Sequence, residues 1–597
     1  MAEENKNSVV IIGAGPAGLT AAYELCKADI ESIVLEKDHI VGGLSRTVNY
    51  KDYYFDIGGH RFFTKVKAVD QMWHDVLKED FLRRNRLSRI YYKKKFFYYP
   101  LRAFNALLGL GILKSFLIIM SYFGAQIFPQ KPEKTFEQWV RNRFGKLLYE
   151  TFFKTYTEKV WGIPCNEISA EWATQRIRGL SLLTAVKNAL LGQNNHKKEE
   201  VIKTLIDTFH YPKRGPGMMW EAVADIVEKK GSQVRLDANA EKIHWNNHNV
   251  EAIEIKVNGR REVFKGNHFI SSMPLRELIH IFEPSVPDQV LQAAMNLKYR
   301  DFLTVALIID KPHISPDNWI YIHDPDVKVG RIQNFKNWSP HMVPDQNKTC
   351  LGLEYFCFEG DELWTMPDQE LIDLAKKDLE LLGLAQASEI NDGAVVRMPK
   401  SYPVYESKCD ESLQILRQFL GRIDNLQVVG RNGMHKYNNQ DHSMLTAMMA
   451  VENILGANHD LWQINTDQEY NEEISRKPLE DPDTLIAIKR AFARMDKFAF
   501  AAAVGSVCGL GMFFATIYLI IKGGEVIGSN LQLLGQYFIG YTVSIKGAFI
   551  GMGYSFLWGF LFGWLFAYIR NLGLAVFIYR VKRKTELLSL RNFFDHF

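Results

Sequence analysis

At 597 residues the chain is too long for a single hydrophobic core, so two or more lobes are expected. Its 72 Lys and Arg nearly balance 68 Asp and Glu for a formal charge of +4, and the bases are spread along the chain apart from a local excess near the C-terminal end, so neither nucleic acid nor an acidic partner is expected. The six cysteines lie far apart, with no CxxC pair and no histidine spacing that builds a zinc site, so they read as reduced, mostly buried thiols and no metal is expected.

The polar start MAEENKNS leads into an apolar run too short for the core of a signal peptide, which is expected to keep the large N-terminal part in the cytoplasm. Residues 9–18, VVIIGAGPAG, read as a strand that stops in a glycine turn and passes into a helical pattern, LTAAYELCKA. Strand, tight turn and helix arrive in the order a dinucleotide site requires, a plain glycine-rich turn being the alternative. Gly13 takes the bend and Gly15 lets backbone approach a pyrophosphate. Gly18, beside Ala17, lets the helix pack on the strand with its first amides facing the anion. Glu36, closing the second strand SIVLE and followed by Lys37, is placed to accept hydrogen bonds from an adenosine ribose.

Paired glycines recur at Gly42-Gly43, ahead of Leu44, Ser45 and Arg46, and at Gly58-Gly59, which sets His60 near the nucleotide crevice where backbone would pass close to a flat ring. An ordinary hairpin with a surface histidine is the alternative. No other strand leads into a second GxGxxG, which favours one flavin over a nicotinamide.

Residues 101–128 are rich in Leu, Ile, Phe and Gly but broken by Arg102, Asn105 and Lys114. They suit a membrane-lying helix pair or the helices of an inserted lobe, and we read them as an inserted lobe with membrane contact. Thr135 and Gln138 then form a capping box. Phe136, Trp139, Val140, Phe144, Leu147, Leu148, Phe152 and Tyr156 follow at helical spacing, a stripe expected in the core. Next, Lys159, Trp161, Arg176 and Arg178 surround a Gly-Ile-Pro turn, and NNHKKEE at 194–200 reads as a solvated loop. The chain returns to α/β with a hairpin and a strand closing at Ser271-Ser272-Met273-Pro274. A β-rich substrate lobe follows over 300–400, where WIY at 319–321 and RIQNF at 331–335 offer aromatic and cationic groups suited to phosphate. LQVVGRNG at 426–433 is a last strand ending in Gly430-Arg431, and a helix beginning near His442 offers the cofactor a second N-terminus; Gly430, Arg431, Asp441 and Ser443 are candidate cofactor residues.

In these strings the chain resembles UDP-galactopyranose mutase, above all the eukaryotic type, over most of residues 8–456, and more loosely the amine oxidase and protoporphyrinogen oxidase superfamily. The likeness runs through GAGPAGL, GGH at 58–60, YPL at 99–101, FEQWV, KVWGIP at 159–164, TFHYPKRG at 208–215, RIQNFKNWSP from 331, YPVYE from 402 and NQDHSM at 439–444. KVWGIP and NQDHS are the most distinctive. The resemblance implies reduced FAD used without net redox change, the flavin acting as the nucleophile that opens a sugar at its anomeric carbon, releases a nucleoside diphosphate and recloses the ring. It implies that Arg176 and Arg331 clamp the diphosphate, that Tyr321 and Tyr402 hydrogen-bond it, and that Tyr437 is a third phosphate ligand. Trp161 would line the sugar pocket and His60 would sit beside the flavin. Where that family has Phe and Gln after Tyr-Pro, against the uracil, this chain has Leu101 and Arg102, and Thr157 replaces an Asn before KVW. The nucleoside end, with Tyr99, Arg102 and Thr157, is therefore altered.

Beyond an acidic, proline-containing linker, residues 498–521 and 547–569 are uncharged apolar runs, each able to cross a hydrocarbon core of roughly 30 Å. Gly505/Gly509 and Gly559/Gly563 would let them pack as a hairpin. Lys489, Arg490, Arg494 and Lys497 precede the first run, and Arg570, Arg580, Lys582, Arg583 and Lys584 follow the second, against only Lys522 and Lys546 between them, which places both ends in the cytoplasm. The tail LGLAVFIYRVKRK is expected on the anionic membrane face.

The expected fold is α/β. A Rossmann-like FAD-binding domain is drawn from 1–100, 206–280 and 421–460, with an inserted helical lobe at 101–205 and a mixed β substrate lobe at 281–420. A linker at 461–497, a transmembrane helical hairpin at 498–569 and a basic cytoplasmic tail at 570–597 complete it. The expected function is a two-pass enzyme of the inner or plasma membrane, an FAD-dependent pyranose/furanose mutase-like isomerase. It would act on a nucleotide- or polyprenyl-phosphate-linked sugar in cell-surface glycan synthesis, with membrane lipid and glycan-assembly proteins as partners. Two alternatives stay open: a membrane flavin oxidoreductase acting on a lipid, isoprenoid or porphyrin, and an inert flavin-binding scaffold for polysaccharide assembly.

Overall fold

The computed structural model describes residues 8–99, 103–170, 208–246, 248–257, 259–405, 409–464, 496–523 and 527–594. The chain divides into two compact units, Met1–Ser475 and Arg476–Phe597.

Val9–Ile12 is buried along its whole length because it is paired on both sides, in parallel with Ser32–Leu35 and with His268–Ser271. Covering both faces of such a strand with helices is what its unbroken apolar run requires. Gln233–Arg235 and Leu426–Val428 extend the parallel sheet to five strands, with Pro16–Lys27 packed beside it. The turns after Ile12, Leu35, Ser271 and Val428 all open at the carboxyl edge, where doubly wound sheets place ligands.

The second large sheet has seven strands, ordered Ile390–Val404, Lys298–Ile309, Thr349–Cys357, Arg331–Asn334, Trp319–Ile322, Ser88–Tyr92 and Lys95–Tyr98. Its last two strands come from a stretch grouped by sequence with the nucleotide-binding part. They turn through Lys93 and Lys94, at φ 50 and 58, and bury Ile90, Tyr91 and Phe97, so the hairpin finds its apolar partners in the β lobe. A smaller sheet holds the hairpin Val250–Val257 and Arg260–Lys265 beside Asn239–Trp245.

The aromatic stripe does not form one helix. Phe136–Phe144 stops at Gly145, whose φ of 80 breaks the ladder; Lys146–Tyr149, a π-type turn at Glu150–Lys154 and Thr155–Trp161 follow. The capping box is present: Thr135 Oγ1 accepts from Gln138 N at 3.3 Å, and Gln138 Oε1 accepts from Thr135 N at 3.2 Å. Upstream, Ala103–Leu110 and Ile112–Ile127 are separated by Gly111 at φ 86.

In the smaller unit, Lys497–Lys522 starts with Asp496 accepting from the amides of Phe498 and Ala499. A Cβ at Gly505 would lie 2.8 Å from the carbonyl of Phe556, and one at Gly563 would lie 3.0 Å from Ala501 Cα, so small residues bring two antiparallel helices backbone to backbone. Ile545–Phe594 runs as one helix, with no proline to stop it, so the basic segment continues the second apolar stretch without a break.

Candidate active site

The carboxyl edge of the parallel sheet opens into a cavity of about 1770 Å³ that reaches to the seven-stranded sheet. At the near end, a Cβ on Gly13 (φ 99) would meet Ser272 Oγ at 2.3 Å, and one on Gly18 would meet the Gly13 carbonyl at 1.8 Å. Gly18 thus acts through helix–strand packing and does not face the cavity, whereas Gly13, Gly15, Ala17, Lys37, Gly43 and Leu44 line it. A Cβ on Gly43 would lie 3.2 Å from Gly15 Cα, so two glycine turns meet with no side chain between them. The carboxylate of Glu36 accepts from Ala14 N at 2.7 Å and Asp38 N at 3.0 Å, while burial raises its pKa. No side chain caps the helix that starts at Pro16, which leaves its first amides for an anion. A pyrophosphate flanked by an adenosine ribose fits this cradle, as FAD requires.

Gly58 takes φ 85, and a Cβ on Gly59 would overlap the Trp319 indole at 2.3 Å. The flat ring that Gly59 accommodates is therefore Trp319. His60 faces the cavity, its Nε2 lies 2.8 Å from the Ile57 carbonyl, and burial pulls its pKa down to about 4, so the ring is neutral. At the other rim, a Cβ on Gly430 would lie 3.0 Å from Ala17 Cβ, which explains its glycine. Arg431 donates to the carbonyls of Asn438 (2.8 Å) and Ser401 (3.0 Å) and lies over the Tyr437 ring at 4.7 Å. Its side chain braces the wall by tying two backbone segments together. The helix expected near His442 begins at Gln440; His442 Nδ1 accepts from Asn439 N at 3.3 Å in a capping box that takes up part of this N-terminus. Asp441 and Ser443 still line the cavity.

The far end is cationic and aromatic. Arg331 donates through Nε to Glu354 at 2.5 Å and through an NH2 group to the Tyr402 hydroxyl at 2.8 Å, and Gln333 donates to the other Glu354 oxygen at 2.6 Å. Arg331 and Glu354 are cross-strand partners, and Glu354 is fully buried, so the guanidinium is fixed in place with its charge offset by the carboxylate. Tyr402 stacks on Tyr437 at 5.6 Å, with Trp161 6.3 Å from Tyr402 and 6.4 Å from Tyr437. Tyr321 stacks on Trp319 at 5.5 Å and meets Tyr99 at 4.8 Å and Tyr156 at 5.6 Å; Thr157 joins the same wall. Arg102, Arg176 and Arg178 lie outside the described residues.

Sequence reasoning missed Arg61 and Arg86, which line this end; Arg61 lies 5.7 Å over Trp319, and both, with Arg331, offset the burial that raises the Tyr321 pKa. It also missed Tyr156 and His323, stacked at 4.7 Å, because an aromatic stripe at helical spacing reads as core, yet Phe136, Phe144, Leu148, Phe152 and Tyr156 all reach the cavity. Glu354 left a signal, being an acid inside the apolar strand TCLGLEYFC, where it needs buried donors to satisfy it. Lys159 turns away to the carbonyls of Asp324 (2.5 Å) and Val329 (3.3 Å), with burial lowering its pKa to about 8.

Among solved structures the fold is similar to reduced UDP-galactopyranose mutase, with a TM-score of 0.66 at 21% identity over 76% of this chain and 97% of the other. It is also similar to a protein assigned as a protoporphyrinogen oxidase from Exiguobacterium, with a TM-score of 0.57 at 16% identity over 75% and 98%. Among curated proteins, the L-amino-acid oxidase of Sistrurus catenatus edwardsii is 24% identical over 331 residues, 52% of this chain and 59% of that one. The chain thus spans less than two thirds of the length of the curated relatives it matches. Residues 16–405 match the family described as flavin containing amine oxidoreductase, and such enzymes imply FAD. On that match the chain belongs to the flavin containing amine oxidoreductase family.

Proposed function

We propose that the chain is a membrane-held, FAD-dependent isomerase that interconverts pyranose and furanose forms of a sugar carried on a nucleotide or polyprenyl phosphate. The observation that carries this reading is the far end of the cavity, where Arg331, fixed by Glu354 and Tyr402, stands with Arg61 and Arg86 among aromatic rings. Guanidiniums held in a buried wall match a phosphate ester, whereas a hydrocarbon substrate has no use for them. The likeness to reduced UDP-galactopyranose mutase supports the same direction.

Gly13, Gly15, Ala17, Glu36, Lys37, Gly43 and Leu44 would hold the cofactor, with Gly430, Asp441 and Ser443 closing its other side. Bound and reduced, it supplies an electron-rich ring nitrogen able to act as a nucleophile. Arg331 and its neighbours would stabilise negative charge as it gathers on the departing phosphate. Trp161, Tyr402 and Tyr437 would shape the sugar pocket, and neutral His60 would leave the cofactor face free of a competing cation. Lys497–Lys522 and Ile545–Leu572 are long and apolar enough to cross a membrane, and the flanking Lys and Arg favour both ends in the cytoplasm. Membrane lipid and glycan-assembly proteins are the proposed partners.

The test is incubation of dithionite-reduced protein with UDP-galactopyranose and with a polyprenyl-diphosphate sugar, scoring ring form by NMR. Conversion of at least one, falling about a hundredfold in Arg331→Ala, is expected. A second reading, oxidation of an amine or lipid-like substrate, draws support from the L-amino-acid oxidase relative and from the apolar wall of Phe136, Phe144, Leu148 and Phe152. Anaerobic bleaching of the flavin by such a compound, with no sugar conversion, would favour it instead.

A further inference from the structure

One helix of the larger unit wears its apolar residues on the outside. Ile112–Ile127 turns Ser115, Ile118 and Tyr122 inward, while Leu113, Phe116, Leu117, Met120, Phe123 and Ile127 recur at the spacing of a single face and are 47% to 75% exposed. A face of this size left to water is characteristic of an interaction surface. Its border is basic. The exposed hairpin tip carries Lys93, Lys94 and Lys95; Lys95 Nζ donates to the Gly109 carbonyl at 2.8 Å, and Lys93 and Lys114 lie over the Tyr92 ring at 5.7 and 5.2 Å. These contacts hold Lys93, Lys95 and Lys114 beside the helices. The acids that follow, Glu133 and Glu137, are paired with Arg143 and Arg141.

We infer that this face is seated in the interfacial layer of an anionic membrane and that the cavity takes an amphiphilic substrate from that layer. Apolar side chains below and lysines around them are the arrangement that binds acidic headgroups. A second copy of the chain fits less well, since apposing two such faces brings like charges together. A bilayer is also within reach of a chain whose C-terminal unit has two helices long and apolar enough to cross one. The helix packs against the wall of the site. Ile118, on the inner side of the helix, belongs to the same apolar cluster as Phe152, Trp161 and Tyr402 of the cavity wall. Asn105 accepts from the amide of Tyr98 at 2.9 Å, next to the cavity-lining Tyr99, which is 42% exposed.

The test places the full-length protein in nanodiscs of phosphatidylglycerol and phosphatidylcholine, with a diazirine on the phosphatidylglycerol acyl chain, and maps lipid adducts by mass spectrometry after illumination. Adducts are expected on peptides covering 112–128 as well as on the two C-terminal helices, which serve as the internal reference. Phe116→Asp with Met120→Asp should lower the 112–128 adducts about fivefold while the reference holds. Lys93→Glu with Lys94→Glu leaves the apolar face intact and should also lower them about fivefold. Flavin absorbance verifies that both variants are folded. Adducts confined to the C-terminal helices, or a 112–128 peptide cross-linked to a second copy in place of lipid, would overturn the inference. Because the readout is labelling, it stands or falls independently of the sugar assay.

Discussion

Gly162 shows what one missing side chain does for the substrate wall. It closes the turn after Trp161 at φ 67, and a Cβ there would lie 2.5 Å from the Arg300 guanidinium carbon. Arg300, 5% exposed, donates to the carbonyls of Val160 (3.3 Å) and Phe356 (3.0 Å), so the turn is folded down over a buried plug. Gly162→Ala adds left-handed strain and displaces that plug; a loss of about 2 kcal/mol is expected in urea unfolding, together with weaker substrate binding as Trp161 shifts. An unchanged midpoint would show that Arg300 yields freely. Titration adds a second expectation. Burial lowers the His435 pKa to about 4 and the His323 pKa to about 3, against roughly 6.5 in the unfolded chain. The unfolded state therefore takes up protons first, and the stability these histidines confer is present above pH ~6.5 and lost as pH falls towards 4. Asp56 acts in the opposite sense. Burial raises it to about 7, so its contribution is present below its unfolded value and lost as pH rises through 7. His435→Phe should flatten the fall in melting temperature between pH 6.5 and 4, and Asp56→Asn should steepen it.

At the scale of elements, the helix pair of the C-terminal unit gives a sharp geometric test. An ideal Cβ at Gly559 lies 3.0 Å from Cys508 Cβ, slightly closer than the roughly 3.5–4.5 Å of a disulfide, a gap that a small helix shift would open. Gly559→Cys should therefore form an intramolecular disulfide with Cys508 on mild oxidation, seen as a reducible mobility change, whereas Gly553→Cys, with no neighbour within 4 Å, should not. Gly505, Gly509, Gly559 and Gly563 were legible in the sequence because small residues one helical turn apart carry their own reason. So were the three glycines of GAGPAG and the Thr135–Gln138 box, where the residues that explain the structure are neighbours in the chain. What the sequence hid depends on pairing at a distance. The hairpin of Ser88–Tyr92 and Lys95–Tyr98 joins strands more than two hundred residues away, and nothing local states which sheet it completes. Arg331 stood out as a cation and Glu354 as an acid in an apolar strand, but their pairing becomes visible only through the antiparallel register that sets them opposite. The aromatic stripe was legible as core, which it is, but not as a wall of the cavity, because both uses select the same residues.

At the scale of the whole chain, every described residue lining the cavity falls between Ile12 and Trp462, inside the Met1–Ser475 unit with its own buried cores. A chain ending at Ser475 should therefore bind FAD as tightly as the full protein, and excess FAD should stabilise both alike, by about 2.7 kcal/mol at a hundred times Kd. Equal shifts in melting temperature on adding FAD would show it; a shift in the full chain alone would mean that the C-terminal unit contributes to the site. The same truncation separates two kinds of membrane attachment. The full chain should resist extraction by salt, because helices that cross the bilayer are held by apolar burial. The shorter chain keeps the face of Ile112–Ile127 and its lysines, so it should still sediment with phosphatidylglycerol vesicles. It should be released when salt shortens the Debye length from about 10 Å at 0.1 M to about 3 Å at 1 M. If it stays bound at high salt, apolar insertion outweighs the lysines. If it never binds, the C-terminal helices alone hold the enzyme at the bilayer, and the substrate must reach the cavity from water.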